Sequence, residues 1–503
     1  MKIYSRSLQL LLTFLLLFTP FVNAKAGYST SQPDGVLSVS GPADDTWVYL
    51  PILNTPNTNS NPPAQQTRRV NAPFVDPRLS DDPERDSTIF WFGKVTPDEN
   101  YTDVRVHYEA DRLIVMVEVF DRLLWYDRSP APDKSNFAAW DSVTLLMNTD
   151  ANSITSPTSK SFRVDAMVNN SRGDPKYRAT YQGNGSSWAP TTLDIDTYAG
   201  WRGDALNNPN EDRGWLMRFS IYYQSLGLSS KPQEGTLWKL GIIVNDRDDS
   251  SGRAINPGRW PENIQIDNPG SWGELYFGIP KLPVPASPQS GTVTIRQGLQ
   301  NATVPDAAVG GTVDNLCPGD SHFIWNVWGN SNFAGAESLN IQNQSDVADW
   351  PCFAKYYVTF PLDQIPPGKV IQSASLILHQ WGNNGPTNLA LDSIIHVFSV
   401  IDDWNEATIS WNNAPLAYEN LDLLRIPLED CSRGTNRYFW PCSPRAWDVG
   451  RAVAQAYEKG QPVRLALYSS DTAMHSGKLF STSDVDDWNA TGRPTLVITY
   501  GDR

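Results

Sequence analysis

Short runs that alternate apolar and polar residues, with turn residues between them, constrain the fold of this chain most strongly. The stretch SFRVDAMV places Phe162, Val164 and Ala166 on one face of an extended strand, with Arg163 and Asp165 on the other. Similar runs recur between glycine, asparagine and proline residues: LIVMVEVF, WLMRFSIYY, WKLGIIVND, GELYFG, AKYYVTF, SASLILHQ, SIIHVFSV, VRLALYS and PTLVITY. This pattern predicts an all-β fold built from antiparallel β-sandwiches.

The length of the chain and one proline-rich segment predict two sandwiches in tandem. The 503 residues are enough for two separate cores. The nearly uncharged segment GIPKLPVPASPQSG predicts a linker over residues 279–291. The first jelly-roll-like sandwich is then expected at residues 34–278 and the second at residues 292–503. One helix is predicted in the second sandwich, within WDVGRAVAQAYEKG, because its apolar residues follow a helical spacing.

The first 26 residues are typical of a secretory signal peptide. Lys2 and Arg6 precede an apolar run that ends at Phe18, and small residues that allow cleavage follow at Ala24 and Ala26. The apolar run is too short for a bilayer-spanning helix, so no membrane span is predicted. We therefore expect a secreted, extracellular protein.

The four cysteines lie in the second half of the chain and predict disulfides. An even number of cysteines in an exported protein usually forms disulfide bonds. The preferred pairing is Cys317 with Cys352 and Cys431 with Cys442. The other connectivities remain open, and a zinc site is a less favoured alternative because no CxxC pair or nearby histidine accompanies these residues.

Charge and motif content narrow the classes of function. The chain has 40 lysines and arginines against 55 aspartates and glutamates. This acidity argues against nucleic acid as a partner, and it makes a neutral polysaccharide a better candidate than a highly acidic one. The sequence has no GxSxG, HExxH, phosphate-binding loop or dinucleotide fingerprint. A glycosidase needs only two suitably spaced carboxylates, so that class of enzyme stays open as an alternative.

Tryptophan is unusually frequent and points to sugar. The chain has 19 tryptophans, and Trp188, Trp201, Trp260 and Trp328 lie in polar, turn-like sequence. An indole ring stacks on the C–H face of a sugar while neighbouring polar groups bind the hydroxyls. Packing inside a loop is the alternative for each ring, but the set favours at least one sugar platform.

The stretch IDDWNEATISWNNAP contains two further tryptophans that we assign to packing. Its EATISW segment is predicted to form a short strand with Ile409 and Trp411 facing the core, while Trp404 covers the strand junction.

The stretch NDRDDSSG offers candidate metal ligands. It places Asp246, Asp248 and Ser250 at alternating positions, which is part of a calcium-loop pattern without its distal glutamate. We identify Asp246 and Asp248 as the candidate ligands. No cofactor is predicted to be required, and a structural calcium ion is the one metal that the pattern suggests.

The first predicted sandwich resembles the family 9 carbohydrate-binding module. The resemblance rests on WDSVTLLMNTD, RGWLMRFSIYYQSLGL, WKLGIIVNDRD and WGELYFG, in that order. It implies a β-sandwich that holds the end of a plant-type glycan, such as cellulose or xylan, between two tryptophans. The residues that this resemblance implies for sugar binding are Trp140, Arg163, Asp165, Asn245 and Trp260.

This chain departs from the family 9 pattern at three positions. Asp165 stands where an asparagine is usual, and Thr144 stands where a glutamate is usual. The second sandwiching tryptophan is expected at Ala138, so Trp140 or Phe137 would have to replace it.

The second predicted sandwich resembles a DNRLRE domain, a class similar to family 96 carbohydrate-binding modules. The resemblance rests on YYVTFPLDQIPPGKVIQSASLILHQ, WNEATISWNNAP, WDVGRAVAQAYEKG and GRPTLVITY. It implies a secreted jelly-roll-like module of the kind found in polysaccharide-degrading enzymes and surface proteins.

The sequence therefore predicts a secreted, non-catalytic protein that binds a polysaccharide or oligosaccharide and acts in carbohydrate catabolism. The alternatives are a glycan hydrolase or lyase acting on O-glycosyl bonds, with its site in one sandwich, and a structural or adhesive surface protein.

Overall fold

A computed structural model describes residues 67–152, 155–252, 255–311, 326–345, 352–386, 388–428 and 442–503. The strands within these residues are β1 Arg69–Ala72, β2 Thr88–Phe92, β3 Tyr101–Tyr108, β4 Arg112–Phe120, β5 Ser142–Asn148, β6 Ser161–Met167, β7 Arg178–Gly183, β8 Trp188–Pro190, β9 Ile195–Trp201, β10 Trp215–Tyr222, β11 Leu237–Asn245, β12 Gly258–Trp260, β13 Gly273–Phe277, β14 Gln289–Arg296, β15 Asp306–Gly310, β16 Ser338–Ile341, β17 Ala354–Phe360, β18 Lys369–Asn383, β19 Ser393–Val400, β20 Glu419–Ile426, β21 Ser443–Asp448, β22 Val463–Ser469, β23 Lys478–Ser481 and β24 Thr495–Asp502. Helix α1 covers Gly450–Glu458, and short 3₁₀ helices cover Lys134–Ala139, Pro175–Tyr177, Tyr223–Leu226, Pro269–Ser271, Leu299–Asn301, Trp328–Asn330 and Asp487–Gly492.

The described strands form four sheets, which we call A to D. Sheet A has the order β1-β13-β11-β5-β6-β7-β8, with β12 also paired to β11, and sheet B has the order β2-β3-β4-β10-β9. Sheet C has the order β14-β24-β18-β23-β16, with β21 also paired to β18, and sheet D has the order β15-β17-β22-β19-β20. The strand pairs are antiparallel except for β1 with β13. The all-β prediction is thereby confirmed.

Sheets A and B enclose one core, and sheets C and D enclose another. In the first core, Val143 and Leu145 of β5 belong to the same buried cluster as Val115 and Val117 of β4. In the second core, residues of β18 and β24 pack with residues of β17 and β22. Helix α1 closes one side of this second core with Ala452 and Val453. Each fully buried aliphatic side chain contributes roughly 1.5–3 kcal/mol relative to an exposed one.

A third buried cluster lies between the two sandwiches, where the outer side of sheet B packs on the outer side of sheet D. In β2, Phe90 faces the first core while Trp91 faces this third cluster. In β22, Leu465 and Leu467 face the second core while Ala466 faces the third cluster. Both faces of β2 and β22 are therefore buried. This explains why consecutive residues in these strands are apolar, instead of alternating with polar ones. We call this contact the seam.

A lysine inside an aromatic cage lies at the centre of the seam. The side chain of Lys355 is fully buried, and its ammonium lies 3.7 Å from the ring centre of Trp411 and 4.2 Å from that of Trp91. Its Nζ donates to the hydroxyl of Tyr101 at 2.6 Å. Burial lowers the pKa of Lys355 well below its usual value, and the charge of Asp103 opposes that shift. Cation–π contacts and a nearby carboxylate therefore compensate only part of the hydration that this group loses on burial.

Polar groups of both sandwiches are also paired across the seam. Asp103 accepts from the Asn343 amide and the Tyr468 hydroxyl, each at 2.9 Å. The Asn71 backbone N–H donates to the Asn420 side chain at 2.7 Å, and the Asn420 amide donates back to the Asn71 carbonyl at 2.9 Å. These bonds fix how the two sandwiches lie on each other, and they place residues 65–503 in one compact unit.

The structure bears on several of the local features predicted from the sequence. Helix α1 lies within the stretch predicted to be helical. Ile409 and Trp411 are buried as expected, but they lie in the cluster at the seam and not in the core of the second sandwich. The predicted strand EATISW is wrong, because residues 406–411 form no strand and Ile409 N bonds to Asn405 O at 2.8 Å. Strand β14 begins at Gln289, inside the predicted linker. The predicted signal peptide, residues 1–26, lies outside the described residues.

The described cysteines and helices bear on two further expectations. Cys352 and Cys442 are not free thiols. Cys317 and Cys431 lie outside the described residues, so the disulfide pairing stays a prediction. In the part of the chain that the structure describes, no helix has the length and apolar character required to cross a membrane.

The seam should make Trp411 important for stability. Its ring is 4% exposed and lies 4.8 Å from the Trp328 ring and 4.9 Å from the Tyr101 ring. We expect Trp411→Ala to lower the free energy of unfolding by roughly 3–5 kcal/mol, as measured by urea denaturation, because the cavity cannot close fully. Trp488→Ala is the matched control: that ring is 66% exposed, and the expected change is within about 0.5 kcal/mol. Equal denaturation midpoints for Trp411→Ala and the wild type would contradict this role.

Candidate functional site

The outward side of sheet A gathers most of the residues expected to bind sugar. Strand alternation sends Val143, Leu145 and Val164 into the core, so Thr144, Arg163 and Asp165 lie on the opposite side. In the strand register of sheet A, Thr144 of β5 pairs with Asp165 of β6, and Arg163 of β6 pairs with Tyr181 of β7. We call this surface the Arg163 face.

A network of charged and polar groups occupies the centre of the Arg163 face. Arg163 contacts Asp165 through two bonds, with Nε to Oδ1 at 3.0 Å and a terminal nitrogen to Oδ2 at 2.7 Å. The Thr144 hydroxyl donates to Asp165 Oδ1 at 2.7 Å. The Arg163 guanidinium lies 5.1 Å from the centre of the Tyr181 ring. Fixed donors and acceptors in this arrangement are suited to binding hydroxyl pairs. The carboxylate of this network comes from Asp165 of β6.

Asn245 lies on the same side of sheet A, but its side chain is buried and bonds to another residue of the protein. It is 9% exposed, and its amide donates to the Ser142 hydroxyl at 3.1 Å. That hydroxyl in turn donates to the Phe137 carbonyl at 2.8 Å. This chain of bonds connects the end of β11 to the 3₁₀ helix Lys134–Ala139, so Asn245 positions the border of the face.

Trp140 borders the face with one side of its ring covered. The Arg247 guanidinium lies 3.8 Å from the ring centre of Trp140. Arg247 is held there by bonds to the Asp249 and Ser250 carbonyls at 2.8 and 2.9 Å. Trp140 is partly buried against the first core, so a sugar would have to approach its remaining side.

Trp260 is not on the Arg163 face. It is 2% exposed and belongs to the first core, where its ring centre lies 4.4 Å from that of Phe90. Strand β12 pairs with β11 and sets Trp260 beside Ile242, which also faces the core. Gly273 makes room for the ring, since a Cβ there would lie 2.6 Å from it. The exposed position expected from the polar neighbours of Trp260 is not observed, and its ring is not accessible to a sugar.

A different tryptophan supplies an aromatic surface on the outward side of sheet A. Trp188 is partly exposed and packs with Trp272 on Leu146 and Ile243. The two indole rings are nearly parallel, at 7° with centres 6.3 Å apart, and Trp188 Nε1 donates to Asp267 at 2.9 Å. Sequence reasoning noted Trp188 as one of several rings in polar surroundings. It did not connect Trp188 to Arg163, because their proximity depends on the pairing of β6, β7 and β8.

A cluster of carboxylates lies beneath the end of the same sheet. Asp121, Asp141 and Asp246 are buried, and oxygens from the three lie within 4.8 Å of one another. Burial raises the pKa of Asp121 and of Asp141 well above the usual value, and neighbouring carboxylates raise them further. Burial and the charge of Asp248 raise the pKa of Asp246 to about 7. Asp248 itself is outside the cluster.

The chemistry of this cluster fits a hard cation. Asp141 accepts from the backbone N–H groups of Trp125 and Arg247, and Asp121 accepts from Trp215 Nε1 at 3.0 Å. Among the described residues, Asp246 Oδ1 has no hydrogen-bond partner. Calcium binds carboxylate oxygens, and a buried group of three without a cation is costly. These residues could therefore hold a calcium ion.

A second group of carboxylates lies in the second sandwich, and hydrogen-bond donors stabilise its buried member. Asp306, Glu406 and Asp484 have oxygens within 4.8 Å of one another. Asp306 accepts from the Ser483 backbone and hydroxyl at 2.7 and 2.8 Å, and also from the Tyr356 hydroxyl. Burial raises the pKa of Asp306 to about 7. Unlike Asp246 Oδ1, both oxygens of Asp306 have donors among the described residues, so we assign Asp306 a structural role.

Comparisons with known proteins give partial matches. A family 9 carbohydrate-binding module from Caldicellulosiruptor kristjanssonii, solved in complex with cellotriose, is similar at 18% identity and a TM-score of 0.30, over 44% of this chain and 100% of that one. The same organism's family 9 module in complex with glucose is similar at 17% identity and a TM-score of 0.30, over 43% of this chain and 100% of that one. No curated protein matches the chain. Residues 315–500 match the model of carbohydrate-binding module family 96.

Proposed function

We propose that this chain is a secreted, non-catalytic carbohydrate-binding protein that acts in polysaccharide binding and carbohydrate catabolism, and that the Arg163 face is its sugar site. The observation that carries the proposal is the Arg163–Asp165–Thr144 network on the outward side of sheet A, with Tyr181 and Trp188 beside it. The match of residues 315–500 to a carbohydrate-binding family supports the same class of function.

The arrangement suits a neutral sugar. Arg163 offers donors and Asp165 offers acceptors, so adjacent hydroxyls of one sugar ring can bind both groups. The exposed part of Trp188 offers an apolar surface for the C–H face of the same or the next ring. The side chain of Asp165 is only 5% exposed and is held by Arg163 and Thr144, which keeps this acceptor in a fixed position.

Binding explains this site better than hydrolysis does. A glycosidase needs an acid and a second carboxylate that face each other across the scissile bond. On the Arg163 face, Asp165 is instead held by the Arg163 guanidinium and the Thr144 hydroxyl, so its oxygens are already engaged in these bonds. We therefore propose that sugar chains are held on this surface and are not cleaved there.

Replacing Arg163 should weaken glycan binding. We expect Arg163→Ala to raise the dissociation constant about 10-fold or more, because a charge-assisted bond contributes roughly 1.5–3 kcal/mol. Affinity electrophoresis in gels containing xylan or hydroxyethylcellulose would measure the change. Trp188→Ala should reduce retardation in the same gels.

Arg69→Ala is the matched control for the Arg163 variant. Arg69 lies on β1 of the same sheet, is paired with Glu274, and has a side-chain exposure of 25% against 23% for Arg163. Its strand is four positions from β6 in the sheet order. Equal loss of retardation in both variants, or none in Arg163→Ala, would rule out the Arg163 face. Absence of retardation of the wild type across neutral and uronic polysaccharides would rule out the proposed function.

We also propose that Asp121, Asp141 and Asp246 bind a structural calcium ion. The ion would neutralise the carboxylates and hold the turn after β4 to the ends of β5 and β11. Asp246 was expected to take part from its sequence, whereas Asp121 and Asp141 join it only through the fold.

Calcium should raise the melting temperature, and more so at pH 8 than at pH 5. The carboxylates have raised pKa values in the folded chain, so protonation favours the folded state at low pH, and this contribution is lost as pH rises through about 7 for Asp246. Calcium replaces the protons and adds about 2.7 kcal/mol at 100 times its dissociation constant. Differential scanning fluorimetry with calcium or EGTA would measure the shift. Asp246→Asn should remove much of it, and an equal calcium shift in that variant would contradict the assignment.

A further inference from the structure

The aromatic surface that Trp188 offers on the Arg163 face is open on one side only. Trp188 lies against Trp272, with the two ring planes at 7° and the ring centres 6.3 Å apart. A sugar ring held between two aromatic rings needs about 7–8 Å between their planes, because each carbon contact takes roughly 3.5–4.0 Å. Nearly parallel planes cannot be farther apart than their centres. A sugar ring therefore does not fit between Trp188 and Trp272.

The ring of Trp140 is also covered on one side, in this case by a cation. The Arg247 guanidinium lies 3.8 Å from the ring centre, which is contact distance. Two nitrogens of that guanidinium donate to the carbonyls of Asp249 and Ser250 at 2.8 and 2.9 Å, so the guanidinium is anchored in place. This side of the indole is closed to a ligand, and Trp140 offers a sugar only its other side.

The two rings lie near opposite ends of the Arg163 face. Trp188 packs against the cluster that contains Leu146 of β5, whereas Trp140 precedes Ser142, the first residue of that strand. Leu146 and Ser142 are four residues apart, which is roughly 13 Å along an extended strand. This length exceeds the roughly 7–8 Å at which two rings could enclose one sugar ring. Trp140 and Trp188 are therefore separate surfaces and do not form a slot.

The polar network lies between the two aromatic surfaces. Arg163 pairs with Leu146, and Asp165 pairs with the β5 residue two positions nearer to the start of that strand. Arg163 is therefore level with the place where Trp188 packs, and Asp165 is nearer to Trp140. Along the strand direction the face presents a ring, hydrogen-bond donors, an acceptor and a second ring. A row of this kind can contact successive units of one chain.

We propose that the Arg163 face binds internal segments of a neutral glycan chain and does not require a chain end. The inference rests on the sugar site proposed above and specifies the ligand of that site. Successive sugar units lie along β5 and β6, with apolar faces on Trp188 and Trp140. Their hydroxyls bind Arg163 and Asp165 between the rings. A site that grips a chain end needs a pair of rings around the terminal unit, and Trp260, expected in such a pair, lies in the core.

Affinity electrophoresis with one polymer at two chain lengths tests the proposal. Xylan or hydroxyethylcellulose is shortened to about one tenth of its length and used at the same mass per volume, which gives about ten times as many chain ends. We expect the apparent association constant per mass of polymer to change by less than about 2-fold, because the number of internal segments is nearly unchanged. A rise of about 10-fold, in proportion to the number of ends, would overturn the proposal.

A variant of Trp140 tests the second aromatic surface. We expect Trp140→Ala to raise the dissociation constant for the full-length polymer by about 3- to 10-fold, because one of two stacking surfaces is lost. Trp201→Ala is the matched control: both rings are partly buried against the first core, but Trp201 lies on β9 of sheet B. The melting temperature of each variant, measured by differential scanning fluorimetry, shows whether both remain folded at the temperature of the gel.

The outcomes separate this inference from the function proposed above. Retardation that depends on Arg163 but increases with the number of chain ends would leave the sugar site in place and overturn the binding of internal segments. Equal weakening by Trp140→Ala and Trp201→Ala would remove Trp140 from the site, and the row of two aromatic surfaces with it. Absence of retardation in every polymer would overturn both the proposed function and this inference.

Discussion

The buried ammonium of Lys355 is the constraint on which the arrangement of this protein depends. A cation removed from water costs several kcal/mol unless it is compensated by neighbouring groups. The compensation comes from both sandwiches, because Trp91, Tyr101 and Asp103 belong to the first whereas Trp411 belongs to the second. Separating the sandwiches would expose the apolar rings and remove half of the cage. The two modules are therefore one body, although each encloses its own core.

Joining the sandwiches in this way decides which surfaces remain for ligands. The outer sides of sheets B and D are largely covered by the seam, so their strands carry apolar residues on both faces. Sheet A keeps its outward side, and the polar network around Arg163 lies there. Among the described residues, no side chain of β9 or β10 belongs to the third cluster, and Tyr198 of β9 is 42% exposed. The Arg163 face is built from one sheet and takes no residue from the seam.

The sequence predicted what is local and missed what depends on distant pairing. The alternating strands, α1 and the burial of Trp411 follow from short patterns, and the structure has them. Residues 406–411 form no strand, and the place of Trp411 at the seam depends on the other sandwich. Trp260 lies among polar neighbours, yet pairing of β12 with β11 carries it into the core. Lys355 occurs in AKYYVTF, where a strand-end lysine is typical of an exposed edge, and its cage forms only when Trp91 and Tyr101 of the first sandwich join Trp411 of its own. Asp121 and Asp141 join Asp246 only after sheets A and B have formed.

The polar bonds of the seam do more than add stability, because they can be satisfied in only one register. Leaving a buried polar group unpaired costs about 1–3 kcal/mol, and a slip of one residue would break the three bonds between Asn71 and Asn420. The same slip would move Asn343 away from Asp103. A purely apolar contact would hold the sandwiches together but would allow more than one register between them.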